Sequence, residues 1–101
     1  MILMGTYRMP SNKTEDWWKC FSDLTGKPLP SCIKKWQTFS CLDGDGTKGY
    51  NLIYVEEGKG DEGLIEISKM MAPFLEIEGS TFKLEPLMGV TDSLKVLEKT
   101  R

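Results

Sequence analysis

The chain contains no histidine. That removes the side chain that most often carries acid–base chemistry near neutral pH, and with it the usual haem ligand. Cysteine is scarce: Cys20, Cys32 and Cys41 make an odd count with no CxxC spacing. This pattern argues against both a disulfide framework and a zinc site, and no metal site is expected. Free thiols in a reducing compartment are the simplest account, with burial as small apolar residues the alternative to reactivity. Long apolar runs are also missing. Met1–Met4 and Met70–Leu75 are the longest, far short of the roughly 20 residues that span a bilayer. The first residues lack the charged and apolar regions of a secretory signal, so the expectation is a cytoplasmic protein without membrane contact. Asn12-Lys13-Thr14 fits a glycosylation pattern but has no export signal beside it.

An excess of positive charge is lacking as well. Thirteen Lys and Arg face fifteen Asp and Glu, a net charge of −2, which gives no general footprint for nucleic acid. The acidity concentrates between Glu56 and Glu66, as expected of a solvated helix entry. No phosphate loop or nucleophile motif appears, and no cofactor is expected. Asp43-Gly44-Asp45-Gly46-Thr47-Lys48-Gly49 begins like a calcium loop. Counting from Asp43, however, Lys48 and Tyr54 stand where such a loop needs Gly and Glu. The two Asp-Gly steps therefore read as a hairpin loop over 43–49.

What is present is an ordered series of hydrophobic patterns: strand, helix, strand, strand, helix, strand. At 101 residues the chain is long enough for one packed core. Residues 2–9 form a first strand, apolar on both parities and ended by Pro10. Ser11 or Asn12 can cap the next helix, with Glu15 as a capping-box partner. Trp17, Phe21 and Leu24 then fall on one helical stripe, and Gly26 with Lys27-Pro28-Leu29-Pro30 stops it. The second strand spans about 32–42, with Ile33, Gln37, Phe39 and Cys41 assigned to one face and Trp36, Thr38 and Leu42 to the other. A third strand, 50–57, places Tyr50, Leu52 and Tyr54 opposite Ile53 and Val55. Asp61 caps a second helix bearing Leu64, Ile67 and Met71, which Pro73 should kink or divide. The last strand, about 80–88, contains Pro86 and so suits a sheet edge. Residues 1–90 thus form one α+β domain, and 91–101 a tail helix.

This order predicts a βαββαβ, four-stranded antiparallel sheet with both helices on one face. Strands one and three take the centre, side by side and parallel, and strands two and four the edges. Because strands one and three are apolar on both parities, the face away from the helices needs a cover. A second copy of the chain, sheet against sheet, is the economical one, so a homodimer is expected.

At this point the chain resembles the dimeric α/β-barrel superfamily of paired ferredoxin-like halves, and within it a small uncharacterised bacterial and archaeal family of unknown function. The resemblance covers roughly residues 1–90. It rests on the strand Ile2–Arg8, on Lys35-Trp36-Gln37, and on Ala72-Pro73-Phe74-Leu75 before the final strand ending near Glu85-Pro86-Leu87. It implies a pocket between sheet and helices, for which Trp36, Gln37, Tyr50, Asn51 and Tyr54 are candidate ligand-binding residues offering aromatic walls and polar tips. Gln37 stands where that family often has histidine, which weakens an acid–base role there.

Two functions are weighed on this basis. One is a module that binds a small ligand or a partner without catalysis, which needs no catalytic residue. The other is a cofactor-independent monooxygenase- or isomerase-like enzyme acting on a small organic substrate. The sequence marks out no catalytic residue for it. Arg8 is a candidate to steer an anionic substrate, with a surface salt bridge as the alternative. RNA binding on the open sheet face is disfavoured, because Tyr50–Val55 carries no basic residue and lacks the required pattern.

Overall fold

Alternating burial along two strands sets the frame of the molecule. A computed structural model describes residues 1–99. Its order is β1 (Ile2–Pro10), a 3-10 turn (Ser11–Lys13), α1 (Thr14–Thr25), β2 (Ile33–Asp43), β3 (Gly46–Val55), α2 (Gly60–Leu75), β4 (Thr81–Leu87) and α3 (Val90–Lys99). The last two residues of the predicted tail, 100 and 101, lie outside the described residues. The four strands form one sheet in the order β2-β3-β1-β4. β1 and β3 hold the centre, and β4 with Pro86 pairs only with β1.

All three pairings are antiparallel, which corrects the expected parallel alignment of β1 and β3. The reason is topological. The crossover through α1 returns the chain so that β2 runs parallel to β1, and β3 is the hairpin return of β2, so it must oppose β1.

Leu3, Gly5, Tyr7 and Met9 of β1 and Gly49, Asn51, Ile53 and Val55 of β3 are buried, while their alternates are only half-buried, or exposed in the case of Ile2. The buried set faces α1 and α2. Leu3, Ile33, Ile53 and Val55 form the core with Ile67, Met71 and Phe74 of α2. Trp17, Cys20, Phe21 and Leu24 of α1 pack against it. α2 approaches the sheet closely at Gly63, where an added Cβ would lie 2.8 Å from a Val55 methyl. Among its described residues α3 has none that is buried, and Val90 and Leu94 are exposed.

Several local expectations need correction. Among the described residues no side chain caps either main helix; Lys13 and Lys59 precede them. Ser11 and Asn12 are taken up by the 3-10 turn, where the Thr14 hydroxyl donates to the Ser11 carbonyl at 2.8 Å. Glu15 and Asp16, like Asp61 and Glu62, instead lie in first turns, where their charge suits the helix dipole. Gly26 ends α1 with φ −76°, so no left-handed residue is used there. Pro73 does not divide α2, which runs on to Leu75. So near the end, the missing donor costs little continuation.

The hairpin loop is two residues, Gly44-Asp45, because Asp43 already pairs with Gly46. Gly44 has φ +63°, and among the described residues no non-glycine residue has positive φ, the sign pattern of a type II′ turn. Arg8 fastens this hairpin to β1: its Nε donates to Asp43 Oδ2 at 3.1 Å and its Nη2 to Asp45 Oδ1 at 3.3 Å. The salt-bridge alternative for Arg8 is the one observed.

β2 carries a register shift between Ile33 and Lys35. The extra residue inverts parity. Ile33 opposes Val55 and is buried, and so shares the helix-side face with Trp36 rather than the face of Gln37, Phe39 and Cys41.

Candidate functional site

Beneath α1 the sheet and helices do not close fully, and a cavity of about 300 Å³ remains. This is why the α1 stripe is only half-buried: Trp17, Phe21 and Leu24 roof a space instead of resting on solid core. Trp17 is the hub of the roof. Its ring stacks on Phe21, one helical turn on, at 4.9 Å and 12°. It also meets Tyr7 at 5.6 Å and Phe74 at 6.0 Å. Trp36, Thr38 and Asn51 form the sheet-side wall, Met70 and Met71 a flank, and Thr25 at the end of α1 with Lys27 and Leu29 beyond it the exposed rim.

The polar end is built around Asn51, 4% exposed on a parity otherwise held by apolar residues. The indole nitrogen of Trp36 can only donate, and it lies 2.9 Å from Asn51 Oδ1, which fixes the amide orientation. The Thr38 hydroxyl also donates to Oδ1, at 2.9 Å. Asn51 Nδ2 donates to the Gly5 carbonyl at 3.3 Å, tying β3 to β1. The amide thus holds Trp36 upright in the wall. One Asn51 N–H and the Thr38 oxygen lone pairs are left to meet a ligand.

Tyr7 lies flat across Gly49, its partner on β3. A Cβ at residue 49 would overlap the Tyr7 ring, so glycine is required for this placement. Burial pushes the Tyr7 phenol above its ordinary 10.0. At neutral pH it is a protonated donor and not a base. Lys27 is the charged residue of the lining, which contains no carboxylate.

Of the five residues expected at the pocket, the structure brings Trp36 and Asn51 together there. Gln37, Tyr50 and Tyr54 lie on the opposite, open face, because they fall on the other parity of β2 and β3. There the Tyr54 hydroxyl donates to Gln37 Oε1 at 3.4 Å. Lys35 and Lys48 sit over the Tyr54 and Tyr50 rings at 5.7 and 5.5 Å. The lining residues that sequence reasoning missed include Tyr7, Thr38, Lys27 and Leu29. One signal pointed toward them: Asn51 alternates in register with Ile53 and Val55, a polar residue at a core position.

The thiols lie away from the lining. Burial raises the pKa of both Cys20 and Cys32, with nearby Asp23 adding to the first and Glu62 to the second. Cys41 is exposed on the open face. Among the described residues no group of His, Cys, Asp or Glu is placed to hold a metal ion, and no helix is long and apolar enough to cross a membrane.

No family model matches the chain, and no curated protein matches it.

Proposed function

We propose that this protein is a small-ligand-binding module that takes a flat, largely apolar molecule into the cavity between α1 and the sheet, without catalysis. The observation that carries the reading is the cavity itself: about 300 Å³, at the lower end of ordinary ligand sites, with aromatic walls and a few convergent polar groups. Trp17, Phe21, Trp36 and Phe74 supply stacking surface. Asn51 and Tyr7, both buried, and the exposed Thr38 beside Asn51 orient a neutral polar group. Those three contain no base at neutral pH, which favours binding over the monooxygenase- or isomerase-like alternative.

The same reading includes a homodimer of ferredoxin-like halves, in the manner of dimeric α/β barrels. Two features support it. Each β-α-β unit brackets a strand of the other: β3 lies between β1 and β2, and β1 between β3 and β4. The face away from the helices also carries Met4, Leu52, Tyr50 and Tyr54 half-buried, and Phe39 53% exposed. A second copy packed there would bury these side chains in a standard-sized interface of about 800 Å² per partner.

A thermal-shift screen with small aromatic and alicyclic compounds, followed by product analysis of each hit, tests the function. Stabilisation without product formation is expected. Product formation would favour the enzyme, and the absence of any hit would sink the ligand reading. Sedimentation equilibrium tests the assembly: a monomer at all concentrations would overturn it, and Leu52→Glu is expected to dissociate the dimer.

A further inference from the structure

We infer that the ligand is an organic acid, whose ring system lies in the aromatic chamber and whose carboxylate points out through the mouth to Lys27. The inference rests on the ligand-binding reading above and adds the class of molecule.

It follows from how charge and polarity are distributed along the cavity. The buried end offers neutral groups only: the Tyr7 phenol, protonated at neutral pH, and the Asn51 amide, to which the exposed Thr38 hydroxyl is bonded. The middle is aromatic, with Trp17 and Phe21 stacked above and Trp36 in the opposite wall. The rim, formed by Thr25 at the end of α1 and by Lys27 and Leu29 beyond it, carries the charge, and it is positive. Among the described residues Lys27 makes no ion pair.

Two carbonyls of the last α1 turn, those of Ser22 and Leu24, are already engaged by backbone donors. The backbone N–H of Lys27 bonds Leu24 O at 3.2 Å, and that of Gly26 bonds Ser22 O at 3.1 Å. A buried anion is disfavoured at the inner end, since no cation there would offset its desolvation. A carboxylate at the exposed rim stays partly hydrated and meets Lys27. The geometry therefore sets orientation as well as class: ring inward, acid outward.

The test compares 2-naphthoate with 2-naphthol, which share a ring system and differ in charge at neutral pH. Binding is measured by titration calorimetry at low salt, and the Trp36 indole N–H resonance in a two-dimensional NMR spectrum reports whether each enters the chamber. The acid is expected to bind roughly two- to fivefold more tightly than the alcohol, the range of an exposed ion pair. Both should shift the Trp36 resonance. Lys27→Gln should bring the affinity ratio to near one, Lys27→Glu should invert it, and high salt should shrink it in the unaltered protein.

If the alcohol binds as well as the acid, or if the ratio survives both Lys27 substitutions, the organic-acid inference is overturned while the binding module stands. If neither compound binds or moves the Trp36 resonance, the ligand reading and this inference both fall.

Discussion

Asn51→Ala is the sharpest single perturbation of this molecule, because one amide joins three strands. Its Oδ1 accepts from Trp36 and Thr38 of β2 at 2.9 Å each, and its Nδ2 reaches the Gly5 carbonyl of β1 at 3.3 Å. A net hydrogen bond contributes about 1 kcal/mol, and the longer third bond is taken as about half that. The sum is roughly 2–3 kcal/mol. Two features keep it from rising further: Thr38 is exposed, and Trp36 lines the cavity. Water can therefore satisfy part of what the amide leaves behind.

Urea unfolding followed by circular dichroism, at one fixed protein concentration, measures the loss. With a slope of about 1–1.5 kcal/mol per molar, the midpoint is expected to fall by about 2 M. A double-mutant cycle with Trp36→Phe isolates the indole–amide bond and should return a coupling of about 1 kcal/mol. Thr38→Val should cost less than Asn51→Ala, since its hydroxyl is open to solvent. A loss below about 0.5 kcal/mol for Asn51→Ala, or strict additivity with Trp36→Phe, would refute the amide as the organiser of this wall.

Three further outcomes are expected. Gly63→Ala would ordinarily stabilise a helix by about 1 kcal/mol. Here the new methyl meets the stiff, buried Val55 at 2.8 Å, so a net loss of about 1 kcal/mol is expected, and a raised Tm would show that α2 does not approach β3 so closely. Native-state alkylation near pH 7.5 should label the exposed Cys41 first. Cys20 and Cys32, whose raised pKa values keep them as thiols, should react only at higher pH or after unfolding; mass spectrometry of the labelled peptides decides this. The Ser80 hydroxyl is buried without a partner among the described residues. Ser80→Ala should therefore leave thermal stability unchanged or raised, and a clear loss would reveal a bond not yet assigned.

The helices were legible because their stripes are strong: Trp17, Phe21 and Leu24 on one, Ile67 and Met71 on the other. The central strands were legible because they are apolar on both parities. The hairpin was misjudged because Asp-Gly occurs twice and Gly49 looked like a third loop residue. In the folded chain Gly46 and Gly49 are strand positions. The Met9 carbonyl crowds the first and the Tyr7 ring the second, demands that appear only once β1 is laid beside β3. The site was half legible for a similar reason. Neighbouring strands were correctly suspected, but Gln37, Tyr50 and Tyr54 needed a face assignment, and Tyr7 and Lys27 reach the cavity only through tertiary placement.

The register shift at the start of β2 gives the chain an asymmetric tolerance to changes in length. One residue too many stands between Ile33 and Lys35. Deleting Lys34 would restore a regular ladder and leave Ile33, Trp36 and Thr38 on the faces they now occupy. Deleting one residue between Trp36 and Thr38 has the opposite effect. It would rotate one side of that point to the wrong surface, parting Trp36 from Asn51 or Thr38 from the cavity. Two single-codon losses a few positions apart would thus have unlike fates: one would trim a spare residue, and the other would dismantle the chamber wall.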